Sequence, residues 1–206
     1  MDAEFFGIYF FMLRRTLSYI MVLIKSIMKG ARHLHRFSEE IMREKDFKMP
    51  TFGVGPIYVF ICFCLTVAGI LLSHHEFLSA GLCMQGKFFF KVAGILSILF
   101  GAGLWIAAVI VEKINLKVRE TKLITTGVYG VVRNPVYSAF IFVFTGALLF
   151  AANFLLLLLP IFYWGFLTVL MKKTEEKWLL RQFGETYATY CKEVNRVIPW
   201  FPKRKS

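Results

Sequence analysis

Apolar runs separated by charged segments predict that this chain crosses a membrane as α-helices. Residues 52–72 and 88–111 are each long and apolar enough to span a hydrocarbon core once. The second run also contains small residues that would let another helix approach closely. These small residues are Gly94, Gly101 and Gly103.

The apolar run 136–171 predicts a helical hairpin. As one straight helix it would be about 54 Å long, whereas a hydrocarbon core is about 30 Å thick. The chain must therefore fold back, and the polar break at Ala152 and Asn153 is the natural turn. We expect two helices, at 136–151 and 154–171.

Residues 4–36 have the pattern of an amphipathic helix, with the basic side chains in one sector and apolar side chains around the rest. A central crossing would put Arg14 and Arg15 deep in hydrocarbon, at about 2.5–3.5 kcal/mol each. The pattern favours a helix lying in the headgroup layer, and a tilted span with its basic stripe facing protein stays open. We therefore divide the chain into this N-terminal helix, 1–36, and a membrane domain, 37–206.

The composition strengthens the membrane interpretation. Of 206 residues, 57% are hydrophobic and the mean hydropathy is +0.61. Soluble domains are about 45–50% apolar. The predicted fold class is all-α: a polytopic membrane bundle of two spans plus a transmembrane hairpin, preceded by an amphipathic N-terminal helix.

Positive charge predicts the orientation of this bundle. The net charge is +12, and the excess lies in segments 37–50, 112–135 and 172–206, whereas 73–87 is nearly neutral. Two spans and one hairpin put all three basic segments on one side, which the positive-inside rule assigns to the cytosol. Anionic lipid headgroups are the expected partners. Nucleic acid is not expected, because no soluble basic domain is present to hold it.

Metal binding is not expected. The four cysteines have no metal-ligand spacing and are interpreted as small apolar side chains. His74, His75 and Glu76 are adjacent, but no further ligands of the right type lie near them in sequence.

The loop before the hairpin is the first candidate for chemistry. Asn134 is expected to cap the following helix, with Pro135 at the first helical position. A helix start offers unpaired N–H groups and partial positive charge, and Arg133 stands beside it, so an anionic ligand group would fit here. The alternative is that this segment only begins a helix and that its tyrosines anchor the interface.

A glutamate pair just after the hairpin is the second candidate. Glu175 and Glu176 are predicted to lie in the C-terminal part of the last membrane helix, where the helix dipole would not favour them. Gly184 is expected to end the helix. An ordinary solvated charge cluster is the alternative, because lysines surround the pair. These lysines are Lys172, Lys173 and Lys177.

Three motifs and the hairpin together resemble the isoprenylcysteine carboxyl methyltransferase family of integral membrane enzymes. The motifs are TTGVYGVVRNPVY (125–137), EEKWLLRQFGETYATY (175–190) and VNRVIPWF (194–201). The resemblance implies that S-adenosylmethionine binds at the cytosolic mouth, with Tyr137 and Glu175 as catalytic residues. It implies cofactor contacts from Thr121, Lys122, Leu123, Ile124, Tyr129, Arg133, Asn134, Pro135, Val136, Tyr137, Glu175 and Glu176.

The chain departs from the family pattern at two positions. Asn134 stands where the family has a histidine, and Met171 stands where the family has a substrate-binding arginine. The resemblance therefore implies methyl transfer to a lipophilic or prenylated thiol or carboxylate-type acceptor, without fixing which one. We expect the acceptor to approach from the lipid, between the hairpin and residues 88–111.

Two other functions are compatible with the sequence. Membrane sterol reductases, which use NADPH, have a similar Pro-Tyr turn and a similar tyrosine-rich tail. A non-enzymatic scaffold could instead use the basic N-terminal helix to hold an anionic membrane.

Overall fold

The computed structural model describes residues 53–73, 75–83, 86–111 and 123–200, with isolated helical positions between 18 and 32. These ranges form a helical bundle without strands, as predicted, and their β-type contacts are isolated bridges. The helices are α1 (Gly55–Leu72), α2 (Glu76–Ser79), α3 (Lys87–Ile106), α4 (Pro135–Phe150), α5 (Leu158–Lys173) and α6 (Glu175–Glu193). Shorter turns are the π-helix Ala107–Val111 and the 3₁₀ helices Gly127–Gly130 and Phe154–Leu157.

Three of the four apolar segments predicted as spans form helices of sufficient length in the described part of the chain. Gly55–Leu72, Lys87–Val111 and Phe154–Lys173 are long and apolar enough to cross a membrane. The fourth apolar helix, Pro135–Phe150, has 16 residues. At 1.5 Å per residue it is about 24 Å long, which makes it the short arm of the hairpin.

The predicted amphipathic helix lies almost entirely outside the described residues. The described positions between 18 and 32 are helical and mostly exposed. Ile27 packs against the main core. Its two predicted placements, across the membrane or in the headgroup layer, concern residues outside the described part of the chain.

Helices α3 and α4 pack with their backbones in close contact. A Cβ added to Gly94 would lie 2.9 Å from the carbonyl oxygen of Gly146, and one added to Gly101 would lie 2.7 Å from that of Ala139. Ser97 Oγ donates a hydrogen bond of 2.7 Å to the Phe142 carbonyl between these two contacts. The predicted small-residue face is thus confirmed for Gly94 and Gly101.

The prediction of a small-residue face is wrong for Gly103. A Cβ at Gly103 would meet no atom within 4 Å, so this residue lies away from the α3–α4 contact. The spacing explains the difference, because Gly94 and Gly101 are seven residues apart and share a helix face, whereas Gly103 is turned away from Gly101. The close contact argues against the expected approach of an acceptor between α3 and α4 in this stretch.

The opposite side of α4 faces the main core, which α1 and α5 complete. Tyr58 and Tyr163 are fully buried there. Tyr58 donates its hydroxyl hydrogen to the carbonyl oxygen of Tyr163 at 3.1 Å, and the Tyr163 and Thr66 hydroxyls bond at 2.8 Å. These bonds satisfy polar groups that would otherwise destabilise a buried apolar core.

The predicted turn at Ala152 and Asn153 is confirmed, and it is tied to the loop after α1. Asn153 is buried, and its Nδ2 donates to the carbonyl oxygens of Ser73 and Leu78. The Phe154 N–H donates to the carbonyl oxygen of Gly81 at 2.9 Å. This attachment closes the end of the bundle opposite Glu175.

We predict that Gly101→Ala destabilises the protein and that Gly103→Ala does not. The added methyl group at Gly101 must displace the backbone of α4, which costs about 1–3 kcal/mol for an overpacked contact. Thermal unfolding of the full chain in detergent checks this. Equal midpoints for the two variants would show that close α3–α4 packing does not limit stability.

Candidate functional site

The candidate site lies where α1 and α4 begin and where the chain turns from α5 into α6. Thr174 breaks the helix, with φ −129° and ψ −92°, so α5 ends at Lys173 and a new helix begins at Glu175. The sequence prediction of a glutamate pair near a helix C-terminus is therefore wrong. Glu175 and Glu176 occupy the first turn of α6, where the helix dipole favours negative charge.

Glu175 joins three segments of the chain. Its Oε1 accepts a hydrogen bond of 2.8 Å from the Tyr137 hydroxyl and one of 3.0 Å from the Val54 N–H. Tyr137 is at the start of α4, and Val54 immediately precedes α1. The structure thus brings together the two residues that the family resemblance names as catalytic.

Two glycines that the sequence analysis did not single out make this contact possible. A Cβ at Gly53 would lie 2.2 Å from Glu175 Oε1, and a Cβ at Gly55 would lie 2.5 Å from the Tyr137 hydroxyl oxygen. Gly53 also has φ +51°, a region that side chains disfavour. The only signal in the sequence is two glycines on either side of one residue at the start of an apolar run.

Burial raises the pKa of Glu175 above its ordinary value. The hydrogen bonds from Tyr137 and Val54 oppose this effect, because they stabilise the carboxylate. Desolvation is the larger of the two influences, so the folded protein holds the Glu175 proton more tightly than an unfolded chain does.

The neighbouring Glu176 has a different environment. It is buried and is bound by two guanidinium groups: Arg133 Nη1 lies 3.0 Å from its Oε1, and Arg196 contacts both of its oxygens at 2.5 and 3.0 Å. Arg133 also donates from Nε to the carbonyl oxygen of Val194 at 3.0 Å. A solvated cluster with the nearby lysines, the alternative considered above, does not describe this network.

Asn134 precedes α4 as predicted, and Pro135 is its first residue, but the Asn134 side chain does not cap the helix. Its Nδ2 instead donates to the carbonyl oxygen of Arg196 at 2.9 Å. The Arg133 N–H likewise donates to the carbonyl oxygen of Asn195 at 2.8 Å. Residues 195–196 therefore run alongside this loop, a pairing that no local pattern in the sequence indicates.

The remaining predicted contact residues fall into three groups. Tyr129 and Ile124 are buried together with Ala108, and Val136 packs against them. Leu123 packs instead against the cluster that contains Tyr190. Thr121 and Lys122 lie outside the described residues.

The tail helix α6 is bent and holds the Tyr129 loop. Gly184 has φ +53° and ψ −130°, so the helical path breaks there as predicted. Beyond the bend, the Tyr190 hydroxyl donates to the carbonyl oxygen of Tyr129 at 2.5 Å. Burial raises the pKa of Tyr190, which keeps its phenol neutral and able to donate.

Two further observations bear on ligand chemistry. Met171 is fully buried in the main core, so an apolar side chain occupies the position at which the family pattern has an arginine. Within the part of the chain that the structure describes, no three metal-ligating side chains come together.

We predict that Gly53→Ala destabilises the protein by about 1–3 kcal/mol, because the methyl group displaces the Glu175 carboxylate and the backbone keeps an unfavourable φ. Gly165→Ala is the control, since a Cβ there meets no atom within 4 Å. In a double-mutant cycle on unfolding midpoints, adding Glu175→Ala to Gly53→Ala should recover part of the stability that Gly53→Ala loses. Strict additivity would show that the two positions do not collide.

We predict a pH-dependent difference between Glu175→Gln and the wild type. With a raised pKa, the folded state binds more protons than the unfolded state between the two pKa values, so this contribution to stability falls as pH rises. The variant should be at least as stable as the wild type at neutral pH, and the difference should narrow at low pH. Unfolding midpoints from about pH 4 to pH 8 test this, with exposed Glu185→Gln as control. A variant that is less stable than the wild type at neutral pH would contradict it.

Comparison with known proteins places these residues in a family. The family model described as phospholipid methyltransferase matches residues 78–186. The curated protein-S-isoprenylcysteine O-methyltransferase of Schizosaccharomyces pombe is 34% identical over 85 residues. That match covers 41% of this chain and only 36% of the relative's length. No solved structure matches the chain.

The matched range includes α3, the hairpin and the first part of α6, so it contains both Tyr137 and Glu175. The resemblance to the isoprenylcysteine methyltransferases is confirmed by the curated relative. Because the family model covers more than half of its residues, this chain belongs to the phospholipid methyltransferase family of membrane proteins.

Proposed function

We propose that the protein is an S-adenosylmethionine-dependent methyltransferase that modifies a lipophilic acceptor drawn from the membrane. The observation that carries the proposal is the 2.8 Å contact between Tyr137 and Glu175, which lie on either side of the hairpin. Family membership supports methyl transfer over the NADPH-dependent reductase and the non-enzymatic scaffold.

The donor set of the site fits such a cofactor, which has a carboxylate, a cationic amine, ribose hydroxyls and an adenine ring. The start of α4 offers the Val136 and Tyr137 N–H groups, which have no partner within the helix and suit a carboxylate. Glu175 suits the amine or the ribose hydroxyls, since its two hydrogen bonds both fall on Oε1. The Tyr129 and Tyr137 rings suit the sulfonium and the adenosine.

In this proposal Arg133, Asn134 and Glu176 act mainly by holding the loop 125–137 against the tail. Arg133 donates to the Val194 carbonyl and to Glu176. Glu176 also binds Arg196, and the Asn134 amide donates to the Arg196 carbonyl. Pro135 and Val136 shape the start of α4, and Leu123 and Ile124 anchor the chain that leads into the loop. Thr121 and Lys122 complete the proposed contact set.

When bound, S-adenosylmethionine supplies an electrophilic methyl group on sulfur. The protein's task is then alignment of the acceptor atom with that methyl group. Tyr137 and Glu175 hold one side of the site at fixed spacing, because each is restrained by the other and Glu175 is also held by the Val54 N–H. A carboxylate acceptor needs no base, whereas a thiol or an amine must first lose a proton.

We place the path of the acceptor on the α1 side of α4. The α3 side is closed by the Gly94 and Gly101 contacts. On the α1 side, Phe140 and Ile141 are partly exposed and lie on the same face of α4 as Tyr137. A hydrophobic chain could lie along this face with its reactive end near Glu175.

The basic segments lead us to place the site at the cytosolic surface. Lys172, Lys173 and Lys177 lie around the turn from α5 to α6. Clustered lysines at the membrane surface attract anionic headgroups. We therefore propose anionic lipids as surface partners of this end of the bundle.

We predict that Glu175→Ala and Tyr137→Ala weaken binding of S-adenosylhomocysteine by about tenfold or more, as expected for loss of hydrogen bonds involving a charged group. Glu185→Ala, on the exposed part of the same helix, should bind as the wild type does. Calorimetric titration of the purified protein in detergent measures this. Unchanged affinity in both site variants would reject the assignment.

The same preparations decide the class of enzyme. Labelled methyl transfer to a membrane lipid extract, a prenyl thiol and a small thiol, measured in parallel, identifies the acceptor. Stabilisation by NADPH but not by S-adenosylhomocysteine in a thermal-shift assay would favour the reductase, and stabilisation by neither would favour the scaffold.

A further inference from the structure

Trp178 has a buried polar atom without a partner. The side chain is 1% exposed. Its indole Nε1 makes no hydrogen bond. Among the residues that the structure describes, every other buried side-chain nitrogen or oxygen has a partner. Buried tryptophan N–H groups usually donate to something, because leaving a buried donor unsatisfied is unfavourable.

Trp178 lies beside the proposed site. It follows Glu175 by three residues on α6, so the two side chains are on neighbouring parts of one helix face. It belongs to the main core cluster together with Val54, whose N–H binds Glu175. Tyr137, the other partner of Glu175, packs against the same cluster.

The surroundings of Trp178 are apolar. The cluster includes Tyr58, Met171 and Val197, all buried. Arg133 and Arg196, which lie at this end of the bundle, are bound to Glu176. The indole N–H is therefore a neutral donor in a hydrophobic setting, which suits an oxygen atom of a membrane-bound acceptor.

We propose that Trp178 is a positioning residue whose Nε1–H donates a hydrogen bond to an oxygen atom of the lipophilic methyl acceptor. The inference rests on the proposed function and deepens it. It assigns the polar contact for the acceptor to a neutral donor at Trp178, on the same helix face as Glu175. It therefore makes the acceptor's oxygen a determinant of specificity.

The test compares Trp178→Phe with the wild type on two probes. S-farnesylcysteine carries carboxyl oxygens, whereas farnesyl thiol has no oxygen. We expect Trp178→Phe to raise KM for S-farnesylcysteine about tenfold or more, because the accepting oxygen belongs to a charged carboxylate, and to leave KM for farnesyl thiol unchanged. Trp164→Phe, on an exposed part of α5, is the matched control.

Two further measurements separate positioning from a structural role. The unfolding midpoint of ligand-free Trp178→Phe should fall only by the cost of a smaller buried ring, since the missing N–H has no partner there. S-adenosylhomocysteine affinity should be unchanged. Trp178→His, which keeps a ring N–H, should have a KM for S-farnesylcysteine between those of Trp178→Phe and the wild type.

Each of the remaining outcomes would contradict one part of the proposal. Equal KM changes for both probes, or none for either, would overturn the role of Trp178, as would a lower midpoint with unchanged KM. A wild type that binds S-adenosylhomocysteine but methylates neither probe would overturn the acceptor class assigned here. A wild type that does not bind S-adenosylhomocysteine would overturn the proposed function itself.

Discussion

One carboxylate oxygen connects the parts of the chain on which the site depends. Glu175 Oε1 accepts hydrogen bonds from Val54, which is 121 positions away, and from Tyr137, which is 38 positions away. Both donors precede or begin membrane helices, so their positions are fixed by the packing of α1 and α4. A shift of either helix by a fraction of a turn would separate these groups.

The two adjacent glutamates have different environments and therefore different roles. Glu176 is neutralised by Arg133 and Arg196 and joins the loop before α4 to the tail. Glu175 has no such cationic partner in its hydrogen bonds, and burial raises its pKa. A group that is desolvated and held by neutral donors can exchange these bonds for contacts with a ligand at lower cost than a group in a tight ion-pair network.

The glycine contacts explain how closely the helices pack around this site. Gly94 and Gly101 fix α3 on α4, and Gly53 and Gly55 let the start of α1 approach Glu175 and Tyr137. Without hydrophobic driving force in lipid, such close contacts are what hold helices in register. The site is thus built at the end of well-packed helices rather than on a free loop.

The sequence by itself determined the spans, the hairpin and its turn at Asn153, because apolar length and polar breaks are local properties. Through the family motifs it also named Tyr137 and Glu175. It did not determine that Glu175 begins a new helix, that Arg196 pairs with Glu176, or that Gly53 and Gly55 reach the site. Those contacts join residues far apart in the chain, and only the packing of the helices decides which distant backbone comes within hydrogen-bonding distance.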